Sequence, residues 1–333
     1  METDDPQVYE KVSAIAHPVF LVITLLTQST LIFFAIFYSP KHIKALRFLL
    51  MKTSFLQVLV SLILFYVQPR LLAGTSVNVP VYCYGWCMRN NNMFCFALYM
   101  FWQTFSLGVA ISLTFTLYFK YHKLTSNVPF TRCRLVASLL LAYIPFYISM
   151  ACAIVITLRS SLPEVAKRQE NVGPEMDNPD IPAQKYTVIG RMTLGALPNR
   201  INFFMLGCGI YVAPIIALWF RWKSHKAMNE KIVGASTVLK FHAKTVMKGL
   251  TIQVISHFVF YIPMFSLYIY CILTNTQVYV QQFFLALSPN LTAAVDPLIN
   301  LYYVVPYRNR ILQLLGRGPR ISPIRVLSVS TPR

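Results

Sequence analysis

Charge is scarce in this sequence. Only 12% of its 333 residues are Asp, Glu, Lys or Arg, about half the ~25% of soluble domains. Acids are scarcer still, with 11 Asp+Glu against 30 Lys+Arg. Hydrophobic residues make up 56% and aromatics 14%, and the mean hydropathy is +0.54, so too little polar surface remains to cover a water-soluble core. That shortage argues against a soluble nucleic-acid binder, the usual reading of a net charge of +19. Collagen-like periods, low-complexity tracts, internal repeats and a dense cysteine framework are also missing. Their absence excludes the fibrous, disordered and disulfide-scaffold classes. There is neither a Gly-rich phosphate loop nor a His-Glu-x-x-His pair, and the six His residues are scattered singly. The chain is therefore not read as an enzyme, and no cofactor or metal is expected.

What is abundant is long, nearly uncharged runs. A helix crossing the hydrocarbon core needs about 20 apolar residues at ~1.5 Å rise. Seven stretches qualify, at about 12–38, 46–67, 93–119, 135–158, 201–220, 249–273 and 279–305. The expected fold is all-α, a seven-transmembrane helical bundle at 12–305 between an 11-residue N-terminus and a tail at 306–333. Charge sets its direction through the positive-inside rule. Segments 39–52, 120–134, 221–248 and 306–333 hold 21 Lys+Arg and one acid, whereas 1–11, 68–92, 159–200 and 274–278 hold nine of each. The first set is expected inside the cell and the N-terminus outside. Residues 1–10 carry four acids and no basic stretch, so the first span is expected to act as its own signal anchor.

Several features carry chemistry. Asp296 is the one acid inside any span, and Pro297 follows it. Burying an ionisable group at that depth costs ~2.5–3.5 kcal/mol or more, so Asp296 should face the bundle interior. Three roles stay open for it: a latch that exchanges partners between states, a structural group, or a proton relay in a transporter. Pro297 should loosen its helix, as should Pro145, Pro214 and Pro263 in spans four, five and six. Cys83, Cys87 and Cys95 cluster before the third span on the expected outer, oxidising side. A bridge within this group, or from Cys87 to Cys208 in span five, is open. The 159–200 loop, with Pro163, Pro174, Pro179 and Pro182, reads as polar and irregular. Basic residues from Arg221 to Lys248 suit anionic inner-leaflet lipid, at about 1 kcal/mol each. Residues 307–315 read as a short amphipathic helix on the membrane, and the tail after Leu315 as disordered.

Several stretches together match a known pattern. They are Ser39-Pro40-Lys41 with Arg47, Tyr82 to Cys87, Lys120-Tyr121, Lys248 to Gln253, Ser288-Pro289, Asp296-Pro297-Leu298 and Pro306-Tyr307-Arg308. In their order and spacing, from about residue 12 to 312, the chain resembles the nematode serpentine chemoreceptors of class delta (Srd). The resemblance implies a seven-helix G-protein-coupled receptor in the plasma membrane, in the sensory cilium of chemosensory neurons. Its expected partners are a small odorant or pheromone-like ligand and a heterotrimeric G protein. Rhodopsin-like receptors join the outer end of span three to the loop between spans four and five by a disulfide, and 159–200 has no cysteine for it. Where they end span three in acid-Arg-Tyr, this chain has Phe119-Lys120-Tyr121-His122. Lysine keeps the charge and loses the planar fork.

With so short an N-terminus, a ligand site is expected between the outer halves of the helices. On span three, Asn92, Phe96, Tyr99 and Gln103 share one face. Asn202 and Met205 can join from span five, and Tyr268, Tyr279 and Gln282 from spans six and seven. A switch is expected at Asp296, Pro297 and Pro263, and G-protein contact at Lys120, Tyr121, Lys244, Lys248 and Arg308. The competing reading is a transporter or channel that uses Asp296 as an intramembrane charge. Such a carrier would predict duplicated halves and an even span count. A non-signalling decoy receptor is the third reading.

Overall fold

The computed structural model describes residues 6–39, 44–71, 78–89, 91–125, 131–160, 187–193, 195–232, 237–276 and 278–316. Helices α1 (Pro6–Phe37), α2 (Lys44–Val67) and α3 (Asn92–Thr125) come first. The bent pair α4 (Arg132–Ala142) and α5 (Ile144–Ser160) follows. Next, α6 (Leu197–Gly207) runs through a π turn at Cys208–Val212 into α7 (Ala213–Ile232). Two further broken pairs are α8 (Thr237–Phe260) with α9 (Ile262–Thr274), and α10 (Tyr279–Phe284) with α11 (Ser288–Tyr303). The short α12 (Val305–Leu314) closes the described chain. Segments Val8–Phe37, Lys44–Val67, Asn92–His122, Leu197–Asn229 and Met247–Thr274 are each long and apolar enough to cross a membrane, and the bent fourth pair makes a sixth.

Along the first part of α1 the burial pattern is inverted relative to a soluble bundle. There the buried side chains are Ser13, His17, Thr24 and Gln28, while Ile15, Val22 and Leu26 lie on the exposed faces; Leu31, Phe34 and Ala35 are buried farther along. The buried four recur at helical spacing and form one inward stripe. In water, exposed aliphatic faces on this scale would drive aggregation. Against lipid hydrocarbon they cost nothing, and the polar stripe is drawn to other helices instead.

Each helix break falls at a proline, and each has a local cause. Proline lacks the N–H that would bond the carbonyl four residues back. At Pro145 the chain bends by 48°, and the Tyr143 N–H turns to the Leu139 and Leu140 carbonyls. Pro263 follows the break at Tyr261. Pro214 follows the π turn. The expected single span at 279–305 is two helices, α10 and α11, separated before Ser288-Pro289. Here the Ser288 hydroxyl donates at 2.9 Å to the Leu285 carbonyl, which Pro289 cannot serve. Pro297, expected to loosen its helix, leaves α11 unbroken. The carbonyl it deprives is that of Ala293, and Gln28 Nε2 on α1 donates to it at 2.8 Å.

To the bundle the structure adds a small antiparallel sheet in the order β1 (Pro69–Leu71), β2 (Asn78–Cys83), β3 (Thr187–Thr193). Strand β3 lies in the loop read from sequence as irregular; Pro163, Pro174, Pro179 and Pro182 fall outside the described residues. Partners run from Pro69↔Cys83 to Leu71↔Val81 and from Asn78↔Thr193 to Cys83↔Thr187, with an irregularity at Val81/Tyr82. Gln68, at φ 44°, makes the left-handed turn from α2 into β1. The sheet rests on α3, where the Phe96 ring occupies the space that a side chain at Gly190 would need. Cys87 and Cys95 form a disulfide, Cα–Cα 5.8 Å, that ties the turn after β2 to the start of α3. Cys83 and Cys208 are free. Burial pushes the Cys83 thiol up to about 11, and it donates to the Val67 carbonyl at 2.7 Å.

One end of the bundle therefore carries the sheet. The opposite end carries Lys120, Arg221, Lys223, Lys248, Arg308 and Arg310. There α12 packs the buried Tyr307, whose hydroxyl shares a 2.6 Å hydrogen bond with Ser39, while Arg310 lies 4.9 Å over the Tyr38 ring. The segment after residue 316 is outside the described residues.

Candidate functional site

Two polar constructions stand in the bundle, one in each half. In the sheet half, α3 presents Tyr99, Trp102, Gln103 and Leu107 at helical spacing along one face. They line a cavity with about 90 Å³ open to the centres of water-sized spheres, several times the ~10–15 Å³ that one water needs. The sheet contributes Leu71, Val79 and Met192 to its wall, and α8 and α9 contribute Tyr261, Phe265 and Tyr268. Tyr99 is 0% exposed, Asn202 3% and Tyr268 4%, so the polar wall of the chamber is buried.

A hydrogen-bond chain holds its polar wall. Gln103 Nε2 donates to the Tyr99 hydroxyl at 2.7 Å, and Asn202 Nδ2 donates to Gln103 Oε1 at 3.0 Å. Ser149 Oγ donates to Asn202 Oδ1 at 2.6 Å and lies 3.2 Å from the Thr104 hydroxyl. Helices α3, α5 and α6 thus fix the two amides and the phenol before anything binds. Preorganised polar groups in an apolar enclosure select a ligand by orientation. The Met192 sulfur of the sheet lies 3.8 Å from the Tyr99 hydroxyl and 3.6 Å from Gln103 Nε2.

Of the nine ligand residues expected from sequence, the structure gathers four at this wall: Tyr99, Gln103, Asn202 and Tyr268. The other five lie elsewhere. Asn92 is exposed in the first turn of α3. Phe96, on the expected face, is spent under the sheet and stacks on Tyr99 at 6.4 Å. Met205 looks away from the chamber into a groove between α3, α4 and α7. Tyr279 stacks on Tyr9 at 6.2 Å. Gln282 accepts from Arg70 at 2.7 and 3.0 Å. Sequence reasoning overlooked Trp102, which the three-residue step from Tyr99 would have included, and Met192, which lies far off in the chain. It also overlooked Arg70, a buried cation whose guanidinium sits 4.5 Å over the Phe283 ring.

In the basic half, Asp296 is buried as expected of an intramembrane acid, and Gln253 Nε2 donates to its Oδ1 at 2.7 Å. Gln253 Oε1 accepts from Lys120 Nζ at 3.4 Å. One amide thereby links α3, α8 and α11. His257 lies beside this group, with Nδ1 2.9 Å from the Gln253 carbonyl, and its ring stacks on Tyr261 at 5.6 Å. Both His257 and Lys120 are electrostatic neighbours of Asp296. The Asn300 amide donates to the Asp296 carbonyl at 3.0 Å. A void of about 20 Å³ bordered by Thr53, Thr116, His257 and Asp296 has room for about one water. Further along, Gln28 donates to Gln57 at 2.6 Å, and Ser61 to Asn290 at 2.9 Å. Gln253, His257, Gln28 and Gln57 were not singled out from sequence as site residues; polar residues repeating within an apolar run are the signal that points to them.

Lys120 was expected at a signalling face. It is half-buried and turned into the bundle, and it borders a cavity of about 190 Å³ at the basic end with Gly249, Gln253 and Tyr303. The Tyr121 ring packs 5.8 Å from Phe220. Lys248 is exposed and Arg308 half-buried, while the side chain of Lys244 lies outside the described residues. Pro263 sits in the first turn of α9, directly after the break at Tyr261. Among the described residues, no three His, Cys, Asp or Glu converge as a metal site would need.

The bundle thus holds an outer chamber and a charged, hydrogen-bonded inner cluster, and sequence comparison identifies its family. The family described as "Serpentine type 7TM GPCR chemoreceptor Srd" matches residues 13–313. The chain belongs to the Srd family. It is similar to serpentine receptor class delta-40 of Caenorhabditis elegans, with 30% identity over 304 residues, 91% of this chain and 92% of that one. Class delta-44 of the same organism is 28% identical over 97% of this chain and 96% of its own length. Class delta-47 is 27% identical over 96% and 98%. The Srd chain is thus a multi-pass membrane protein with the serpentine seven-helix fold, of a chemosensory receptor type.

Proposed function

We propose that this Srd receptor binds a small odorant or pheromone-like molecule in the chamber of the sheet half and signals to a heterotrimeric G protein at the basic end. The observation that carries this reading is the chamber with its buried, fixed Tyr99–Gln103–Asn202 wall. The charge asymmetry supports placing the sheet outside the cell and the basic end inside, against anionic inner-leaflet lipid.

Signalling in this reading is a population shift. The resting packing is held where Gln253 bridges Lys120 to Asp296. A ligand in the chamber touches Tyr261, Phe265 and Tyr268 on the α8–α9 span, whose break at Tyr261 stands between chamber and latch. Active packing would free Lys120 and open a cleft with Tyr121, Lys244, Lys248 and Arg308 for the G protein. The location of action would be the sensory cilium.

The test is expression in reporter cells with a matched G protein, challenged with small volatile and secreted compounds. A responding compound should lose potency when Gln103 or Asn202 becomes Leu. The double change Lys120→Glu with Lys248→Glu should abolish the G-protein response while surface expression persists. An intact response in that double variant would remove the assigned coupling face.

A further inference from the structure

The chamber and its surroundings carry a statement about what can enter and how. Among the described residues that line it, none is charged: the polar groups are amides, hydroxyls and phenols, and the rest is hydrocarbon, ring or sulfur. An anion placed there would lose its hydration with no cation to replace it, which is prohibitive among apolar walls. The sheet stands over the chamber, with Leu71 and Val79 almost fully buried.

On the flank the barrier is thin. A second cavity, with about 450 Å³ open to water-sized spheres, lies between α3, α4 and α7, where the 48° bend at Tyr143 swings the fourth span aside. Its wall is almost wholly apolar, and Leu141, Val212 and Ile216 on it are exposed on the outside of the bundle at mid-span. Bilayer hydrocarbon is what such a surface meets. Leu107 and Gly209 line both this groove and the chamber. Gly209 lies in the π turn and has no side chain, and a Cβ there would meet Leu107 Cδ1 at 2.5 Å. One flexible leucine against a bare backbone is all that both cavities share.

We propose that the chamber takes a small, uncharged, mostly hydrocarbon molecule with one hydrogen-bonding group, and fills from the bilayer through a window between the third and fifth spans at Leu107 and Gly209. The inference rests on the chamber being the ligand site. A neutral compound concentrates in the membrane, reaches the groove by lateral diffusion, and passes when Leu107 changes rotamer. Its polar group then meets the Gln103–Asn202 wall.

The test uses the full-length receptor in lipid nanodiscs and two photoreactive probes, an uncharged short-chain alkyl ketone bearing a diazirine and its carboxylate counterpart. Labelled residues are read by peptide mass spectrometry after graded incubation. The neutral probe should label Tyr99, Gln103 or Tyr268 as well as groove residues, and the anionic probe should leave the chamber unlabelled. Gly209→Leu should slow chamber labelling about tenfold while groove labelling persists, and Leu107→Ala should speed it. Because Leu107→Ala acts in the opposite direction, a folding defect in the glycine variant does not decide the outcome. Equal chamber labelling by both probes overturns the ligand class. Chamber labelling indifferent to both substitutions overturns the window and leaves the ligand site standing. If neither probe labels the chamber, the ligand site itself falls.

Discussion

The two halves of this bundle use polar groups in opposite ways. In the sheet half, Tyr99, Gln103 and Asn202 satisfy one another along a wall and leave open space beside them. In the basic half, Gln28, Gln57, Gln253 and Asp296 reach across helices, with room for about one water beside Asp296 and a separate cavity of about 190 Å³ at the basic end. The first arrangement is preorganised to receive something, the second to hold helices in register. The difference teaches that buried polarity in a membrane bundle is not one signal. Groups clustered on neighbouring faces around a void make a site. Groups that hydrogen-bond across separate helices make a joint.

Changes in the joint should cost most. Asp296→Leu strands the Gln253 donor and leaves the half-buried Lys120 without its acid, and breaking such a charge arrangement costs about 3–5 kcal/mol. The expected result is loss of surface expression and a lower unfolding temperature in detergent. Asp296→Asn keeps the shape and should change ligand-independent signalling instead; a silent basal level in a well-expressed variant would detach the joint from switching.

Next comes the lid. Cys87→Ser opens an eight-residue separation for which loop-closure entropy predicts about 2–3 kcal/mol. A lowered melting temperature with an undisturbed basal signal would keep lid and joint separate, and a raised basal signal would show that they communicate. Changes in the chamber wall should be milder for folding and sharper for binding. Gln103→Leu removes a hydrogen-bonding partner at about 1–2 kcal/mol, so the potency of a responding ligand should fall about tenfold or more, with basal signalling unchanged. If Gln103→Leu moved basal signalling while Asp296→Asn moved only potency, the division between the halves would be reversed. Smallest of all is Pro297→Ala. It restores an N–H to the Ala293 carbonyl, which Gln28 already satisfies, so the melting temperature should move by less than about 1 kcal/mol would produce.

How much of this was legible in the residues varies by element. The helices stand out because apolar runs are a local property, and Asp296 stands out because an acid there has few explanations. The α3 face was half legible. Spacing puts Phe96, Tyr99 and Gln103 in one row, yet the sheet covers Phe96 and leaves the lower two to the chamber. Met205 and Asn202 are three residues apart on α6, and the rotation of that helix sends one into the lipid-facing groove and the other into the chamber. Lys120, one turn inside the boundary, was expected at the surface and bends inward because Gln253 offers an acceptor.

The sequence by itself determined the membrane class, the run of apolar helices, the uneven charge of the two loop sets and the prolines at which helices could yield. Each of these sums over neighbouring residues and needs no knowledge of distant ones. Tertiary structure alone decided which cysteines pair, which prolines break their helix, which faces meet the chamber and which single glycine thins its wall. Those outcomes depend on helix rotation and on partners far apart in the chain, such as Gln28 and Ala293, 265 residues from one another. Hydrophobicity fixes that a helix is buried in lipid, while packing and hydrogen bonding between helices fix which way it turns.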